Sequence, residues 1–166
     1  CSGQSADLPT DRYMAVEGAN GLIAAIADAH SLEAAGRRIL EPLEDGRIAD
    51  NRSPYNGLVA LDGNLTTDLL GDIVQSGLLA QADVRVAPAS PGKAERLSVF
   101  FGQSNAMLYV NLIEAGVLCQ RSFDTTEQAA RALSVRGVAR AMVTDGGNDC
   151  ALLHDGSVPV SYTHLR

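Results

Sequence analysis

From residue 57 onward the chain repeats one pattern: a short apolar run of strand character, a polar stop, then a segment with helical spacing. "GLVALDGN" ends at Asp62 and Asn64. After it Thr66 or Thr67 opens a helix in which Leu69, Leu70, Ile73, Val74 and Leu78 recur at three- and four-residue intervals. "DVRVAPAS" is a second strand, ending at Pro88 and Ser90, and "GKAERLSVFFG" is a helix expected to turn Leu97, Phe100 and Phe101 inward. "AMLYV" is a third strand, and Asn111 begins the next helix. A further helix opens in the capping box Asp124-Thr-Thr-Glu127 and stops at Gly137, and "VARAMVT" is a fourth strand ending in "DGGND". Strand–helix alternation with short connections demands right-handed crossovers and a mostly parallel sheet. The expected fold class is therefore α/β, a doubly wound parallel sheet flanked by helices, and 166 residues allow one such core.

Ligands of open parallel sheets sit beyond the carboxyl ends of the strands. Asn64, Ser90, Asn111 and Thr144 all fall at or just past such ends. Asn111-Leu-Ile-Glu114 reads as a capping box, since Asn suits an N-cap and Glu at N3 can return a hydrogen bond. It also reads as an amide and a carboxylate placed to organise a hydrated Mg²⁺, an ion that needs only one or two protein oxygens. The two readings are compatible. Thr144-Asp145-Gly146-Gly147 reads as a turn between strands or as glycines that let backbone amides approach an anion. Ser90-Pro-Gly-Lys93 matches the S-x-x-K pattern of some acyl-transfer enzymes without its companion motifs, against the simpler reading of a solvated lysine at a helix start.

Ahead of residue 57, "RYMAVEG" and "LIAAIAD" flank Asn20-Gly21 and read as a hairpin. A helix is expected from Ser31, as N-cap, to Leu40, and "LEPLEDGRIADNRSPYNG" reads as loop with room for a little more helix. After the fourth strand, "CALLH", Asp155-Gly156 and "SVPVSY" read as another hairpin. The chain opens at Cys1 and stops in "SVPVSYTHLR", where a strand is running, so both ends read as cut and "SYTHLR" as foreign to the fold. A net charge of −7 argues against a nucleic-acid backbone as partner, and no apolar run is long enough to span a membrane. Three cysteines and three histidines without metal spacing argue against zinc and for reduced thiols in a cytoplasmic setting.

Taken in order, the hairpin, "LVALDGNL", "APASPGKAERL", "LYVNLIEAGVL" and "TTEQAARALSVRGVARAMVTDGGNDCALL" resemble the PfkB, or ribokinase-like, carbohydrate kinase family. The resemblance runs from about Thr10 to about Gly156. "RYMAVEGANGLIAAIAD" and "SPGKAERL" are most similar to its pseudouridine-kinase-like and related nucleoside-kinase branch. The resemblance implies one partial domain over residues 1–166, with a lid hairpin at 12–28, an α/β core at 57–156 and a tail at 157–166. Lids of this kind cover the sugar and often mediate homodimers.

The resemblance also implies ATP and Mg²⁺ as cofactors and a small sugar or nucleoside as substrate. Asn111 and Glu114 match the N-x-x-E motif associated with Mg²⁺ and the nucleotide phosphates, and Thr144 and Gly146 match the V-T-x-G stretch that contacts ATP. Asn64 and Lys93 are candidate substrate contacts, and a turn-forming Asn-Leu-Thr-Thr helix entry explains Asn64 as well. Asp145 stands where the family has an apolar residue, and Asp149 roughly where it has Gly. The family's D-T-x-G-A-G-D signature, which supplies the anion hole and the catalytic Asp, has no counterpart, because no Gly-Ala-Gly-Asp occurs in the sequence. The expectation is an internal fragment of an ATP-dependent kinase, with no catalytic residue of its own and little or no turnover. The alternative is a non-catalytic nucleotide-binding or interaction module that kept the fold.

Overall fold

The structure, a computed structural model, describes residues 11–19, 21–50, 52–155 and 160–162. Its centre is a six-stranded sheet of β3 (Leu58–Asp62), β4 (Asp83–Ala87), β5 (Ala106–Asn111), β6 (Arg140–Thr144), β7 (Cys150–Leu153) and β8 (Val160–Tyr162), ordered as in the sequence. The first four strands pair in parallel, and β7 runs against both of its neighbours, β6 and β8. Each parallel strand lies beside the next in sequence, so successive right-handed crossovers all move the same way. The crossover elements α3 (Thr67–Ser76), a 3₁₀ helix (Pro91–Phe100), α4 (Leu112–Cys119) and α5 (Thr126–Val135) accordingly pack in series as one layer.

Beneath that layer the strands turn in Val84, Val86, Leu108, Val110, Ala141, Val143, Ala151 and Leu153, all buried. The helices answer with Leu69, Leu70, Ile73, Leu97, Phe100, Leu118 and Leu133. Removing each large side chain from water contributes about 1.5–3 kcal/mol. The alternate residues of the strands, among them Arg85, Tyr109 and Met142, face the other way and are half-buried.

Local chemistry explains where the elements begin and end. Thr66 caps α3, its Oγ1 accepting from Leu69 N at 3.2 Å, and Gly77 closes the helix at φ +71°. The C-terminus of α5 is a Schellman motif: Val138 N donates to Leu133 O and Gly137 N to Ser134 O, with Gly137 at φ +91°. The cap of α5 is Thr125 rather than Asp124. Its Oγ1 accepts from Gln128 N at 3.2 Å, and Gln128 Oε1 in turn accepts from Asp124 N. Starting one residue later lets a β-branched hydroxyl cap the helix and places Gln128 at N3.

The segment 91–100 corrects the expected α-helix. Its buried residues Ala94, Leu97 and Phe100 recur every three positions, the period of a 3₁₀ helix, and Phe101 falls just past it, half-buried. The helix expected over Ser31–Leu40 is divided into α1 (His30–Ala35) and a 3₁₀ turn (Gly36–Leu40), with Gly36 at φ +51°, and α2 (Glu41–Glu44) follows in the segment after it. Ser31 is not its N-cap. Asp11, twenty residues away, accepts from Ser31 N at 2.8 Å and from Leu32 N at 3.3 Å.

The N-terminal hairpin, β1 (Tyr13–Gly18) and β2 (Gly21–Ala27), forms its own two-stranded sheet. Gly18 pairs with Gly21 at the closed end of the hairpin. Asn20 itself lies outside the described residues, as do Gly156 and residues 163–166. At the other end, Ser161 and Tyr162 pair with Ala151 and Cys150, so the start of "SYTHLR" belongs to the sheet rather than outside it.

Candidate functional site

β5 and β6 end level with each other: Asn111 is the register partner of Thr144. At Asn111 the backbone passes from extended geometry into α4. Its Oδ1 accepts from Glu114 N at 2.9 Å, and Glu114 Oε2 accepts from Asn111 N at 2.9 Å. The capping box is complete. Glu114 is only 7% exposed, yet it lines an open cleft of about 320 Å³. Asn111, Glu114 and Thr144 form one side of this cleft, and Pro88 and Ala89, past the end of β4, form another. Ala89 sits at φ +67°, a left-handed conformation that costs an L-residue about 1–2 kcal/mol and turns the chain sharply at the rim.

Among the described residues, the lining of this cleft contains no lysine or arginine. A polyanion there would need a cation, backbone amides, or both. Among the described residues no group of three His, Cys, Asp or Glu side chains could enclose a metal. The donor set does suit a hydrated Mg²⁺, which keeps most of its waters and takes one or two protein oxygens. Glu114 Oε2 is committed to the cap, whereas Oε1 has no hydrogen-bond partner among the described residues.

The other candidates are placed differently. Gly146 lies two residues past Thr144 at φ +53°, in the β6–β7 connection, and does not line the cleft. Asp145 turns inward on its own loop, its carbonyl and Oδ2 accepting from Asn148 N and Nδ2, both at 2.9 Å. The Asp149 carbonyl accepts from Thr126 Oγ1 at 3.3 Å and ties the same loop to α5.

Asn64 and Lys93 do meet, but away from the cleft lining. Lys93 Nζ donates to Asn64 Oδ1 at 2.6 Å, while Asn64 N and Nδ2 both donate to Asp62, each at 2.9 Å. The Lys93 ammonium is thus turned toward Asn64. Ser90 meets Lys93 only through the backbone, its carbonyl accepting from Lys93 N, and the S-x-x-K reading loses its base. Sequence reasoning missed Arg96, whose Nη1 donates to Gly63 O at 3.0 Å and Leu65 O at 3.1 Å. The signal was available: in a 3₁₀ helix a residue three beyond Lys93 stands directly above it.

Compared with known proteins, the chain matches no family model and no curated protein sequence. It does superpose on solved structures. A carbohydrate kinase from Agrobacterium tumefaciens matches at TM-score 0.67 and 22% identity, over 91% of this chain and 46% of that one. The Arabidopsis thaliana ribokinase complexed with ribose and ATP matches at 0.63 and 19%, over 93% of this chain and 48% of that one. The fold is ribokinase-like. A Bacillus subtilis pyridoxal kinase in complex with ADP shares it at TM-score 0.57 and 19% identity, over 92% of this chain and 60% of that one. This chain therefore spans about half the length of the first two ribokinase-like structures.

Proposed function

We propose that this chain carries the nucleotide-and-metal edge of an ATP-dependent kinase that transfers the γ-phosphate to a hydroxyl of a sugar or nucleoside. The observation that carries the reading is the level ending of β5 and β6, which brings Asn111, Glu114 and Thr144 to one cleft at the carboxyl edge of a ribokinase-like sheet. Phosphoryl transfer is mostly positioning and charge stabilisation, so a rigid edge is a large part of what such an enzyme requires.

In this reading Mg²⁺, when bound, neutralises phosphate charge that the cleft's own side chains do not. Glu114 would hold the hydrated ion through its free Oε1. Asn111 fixes that carboxylate by donating its backbone N–H to Oε2, and its side chain contributes through water. Thr144 offers a hydroxyl to the nucleotide, and Gly146 offers a backbone amide where no Cβ obstructs approach. No residue of this chain is assigned as the base that deprotonates the acceptor. Asn64 and Lys93 remain substrate-side candidates, with Lys93 presenting the two N–H donors that Asn64 leaves unused. The exposed Tyr13, Ile23 and Ile26 suit the hairpin to covering a sugar or pairing with a second copy in a homodimer.

Calorimetric titration with ATP tests this. Binding is expected with Mg²⁺ present, and at least tenfold weaker when the metal is chelated or in Glu114→Gln, with no turnover in any case. Hydrolysis or transfer at rates typical of kinases by the 166-residue chain, or binding indifferent to both metal and Glu114, contradicts it.

A further inference from the structure

Six arginines here answer a carboxylate: Arg37, Arg47, Arg85, Arg96, Arg131 and Arg140. Arg121, just past α4, answers none, and its side chain has no hydrogen bond or ion pair among the described residues. Instead its guanidinium lies over the Phe123 ring, 4.6 Å from the centroid. Such a stack fixes the plane of a guanidinium and leaves the N–H groups around its rim free. A cation beside a helix C-terminus is favourable, which accounts for the charge but not for the aromatic platform beneath it.

Arg121 and Phe123 line a groove of about 430 Å³ on the outer side of α4, with Ile113 and Val117 as its apolar wall. Ile113 is 68% exposed and Val117 38%, so the wall is open to solvent. Among the described residues, Arg121 is the only charged residue of the lining. The turn that carries it is held by the backbone. α4 ends in a Schellman motif, in which Arg121 N donates to Gly116 O at 3.0 Å and Gln120 N to Val117 O at 3.2 Å, with Gln120 at φ +56°. A Cβ at Gly116 would lie 2.9 Å from the Arg121 carbonyl oxygen, so a glycine there lets the turn close onto the helix. Arg136 lies over Phe101 in the same manner at 5.8 Å, but neither residue lines this groove.

We infer that this groove is a binding site for a small carboxylate with an apolar body, aryl or branched alkyl. Arg121 takes the carboxylate with two parallel N–H donors. Ile113, Val117 and Phe123 cover the body, and Gln120 and Ser122 offer further polar atoms at the rim. Size favours a small molecule over a protein, because eight residues line the groove whereas a specific protein interface takes about 20–30 a side. Its volume falls in the ordinary range of small-molecule sites, about 300–1,000 Å³. Charge favours a monoanion. One guanidinium balances one carboxylate, and the carboxyl end of α4 weighs against a phosphate dianion. This inference is independent of the phosphotransfer reading, since the groove shares no lining residue with the cleft at Glu114.

Titration of the 166-residue chain with phenylacetate, followed by backbone amide chemical shifts, tests it. Saturable shifts are expected at residues 113, 117 and 120–123. Phenylacetamide keeps the ring without the charge, inorganic phosphate keeps charge without the ring, and each should bind at least tenfold more weakly. Arg121→Gln should weaken phenylacetate binding at least tenfold. Arg121→Lys, which keeps the charge without the paired donors, and Ile113→Ser should each weaken it at least threefold. The three ligands compared on the unsubstituted chain decide the matter if a variant fails to fold. Absence of saturation, shifts centred elsewhere, equal binding of phenylacetamide or phosphate, or binding that survives Arg121→Gln overturns the inference. So do shifts at these residues that grow with protein concentration alone, alongside a dimeric mass, which would make the groove a contact between copies.

Discussion

Two polar clusters sit along the same carboxyl edge of the sheet, and they are built on opposite plans. At the end of β3, Asp62, Asn64 and Lys93 satisfy one another, and Arg96 nails the adjoining loop by its carbonyls. At the ends of β5 and β6, Asn111 and Glu114 also bond reciprocally, but half of the carboxylate is left over and faces a cleft. The first arrangement is a lock between two loops. The second is a lock with a spare oxygen, and that oxygen separates a capping box from a ligand site. The same tetrapeptide can therefore be structural and functional together.

The widest separation between the clusters is expected from Gly63→Ala. A Cβ at Gly63 would lie 2.2 Å from the Pro88 carbonyl oxygen, a backbone atom that cannot step aside. Overpacking of this kind costs about 1–3 kcal/mol, occasionally more. Denaturant unfolding should show a loss of that size, and a loss under 0.5 kcal/mol would mean that the loop is not locked.

Asn111→Ala comes next. Losing the N-cap costs about 1 kcal/mol, whereas Asn111→Asp keeps an acceptor for Glu114 N and should be close to neutral in the same measurement. Glu114→Gln retains an oxygen for the cap, so it should leave stability within about 0.5 kcal/mol while abolishing the metal-dependent part of nucleotide binding. If stability and binding fall together, the spare oxygen has no separate role.

Lys93→Met removes an ammonium from a partly buried pair and should change stability by less than about 1 kcal/mol. It should leave metal-dependent nucleotide binding unchanged, because Lys93 does not line that cleft.

The smallest effect is a pH dependence. The Arg85 side chain, and then that of Arg140, hold the Asp83 carboxyl below its ordinary range. Its folded pKa is lower than its unfolded one, so its contribution is present above the ordinary carboxylate range and is lost as pH falls through the folded value. Asp83→Asn should therefore flatten the acid limb of stability against pH. An unchanged acid limb would show that the two arginines do not act through this carboxylate.

Most of the sheet was legible from sequence because its strands are short, apolar and bounded by polar stops, and because their alternation with helices leaves few topologies. The edge residues were legible for the same reason: a strand's last residue is fixed by where the apolar run breaks, and Asn111 and Thr144 both mark such breaks. What escaped was set by contacts distant in sequence. No local pattern could show Asp11 capping α1 from twenty residues away, and none favoured 3₁₀ over α geometry for 91–100 until the three-residue spacing of Ala94, Leu97 and Phe100 is weighed against Phe101. The shift of the α5 cap to Thr125 was a choice between two adjacent competent residues, decided by which one left Gln128 at N3. Lys93 was visible as a cation near a helix start, but its partner on another loop was not.

The most direct measurement is paramagnetic broadening of backbone amide signals when Mn²⁺ replaces Mg²⁺ in the presence of ATP. Broadening centred on residues 111–115 and 144–146, weaker at 62–64 and absent from Glu114→Gln, is the predicted outcome. Broadening centred elsewhere on the acidic surface, or surviving intact in Glu114→Gln, would contradict the assignment of this edge to metal and nucleotide.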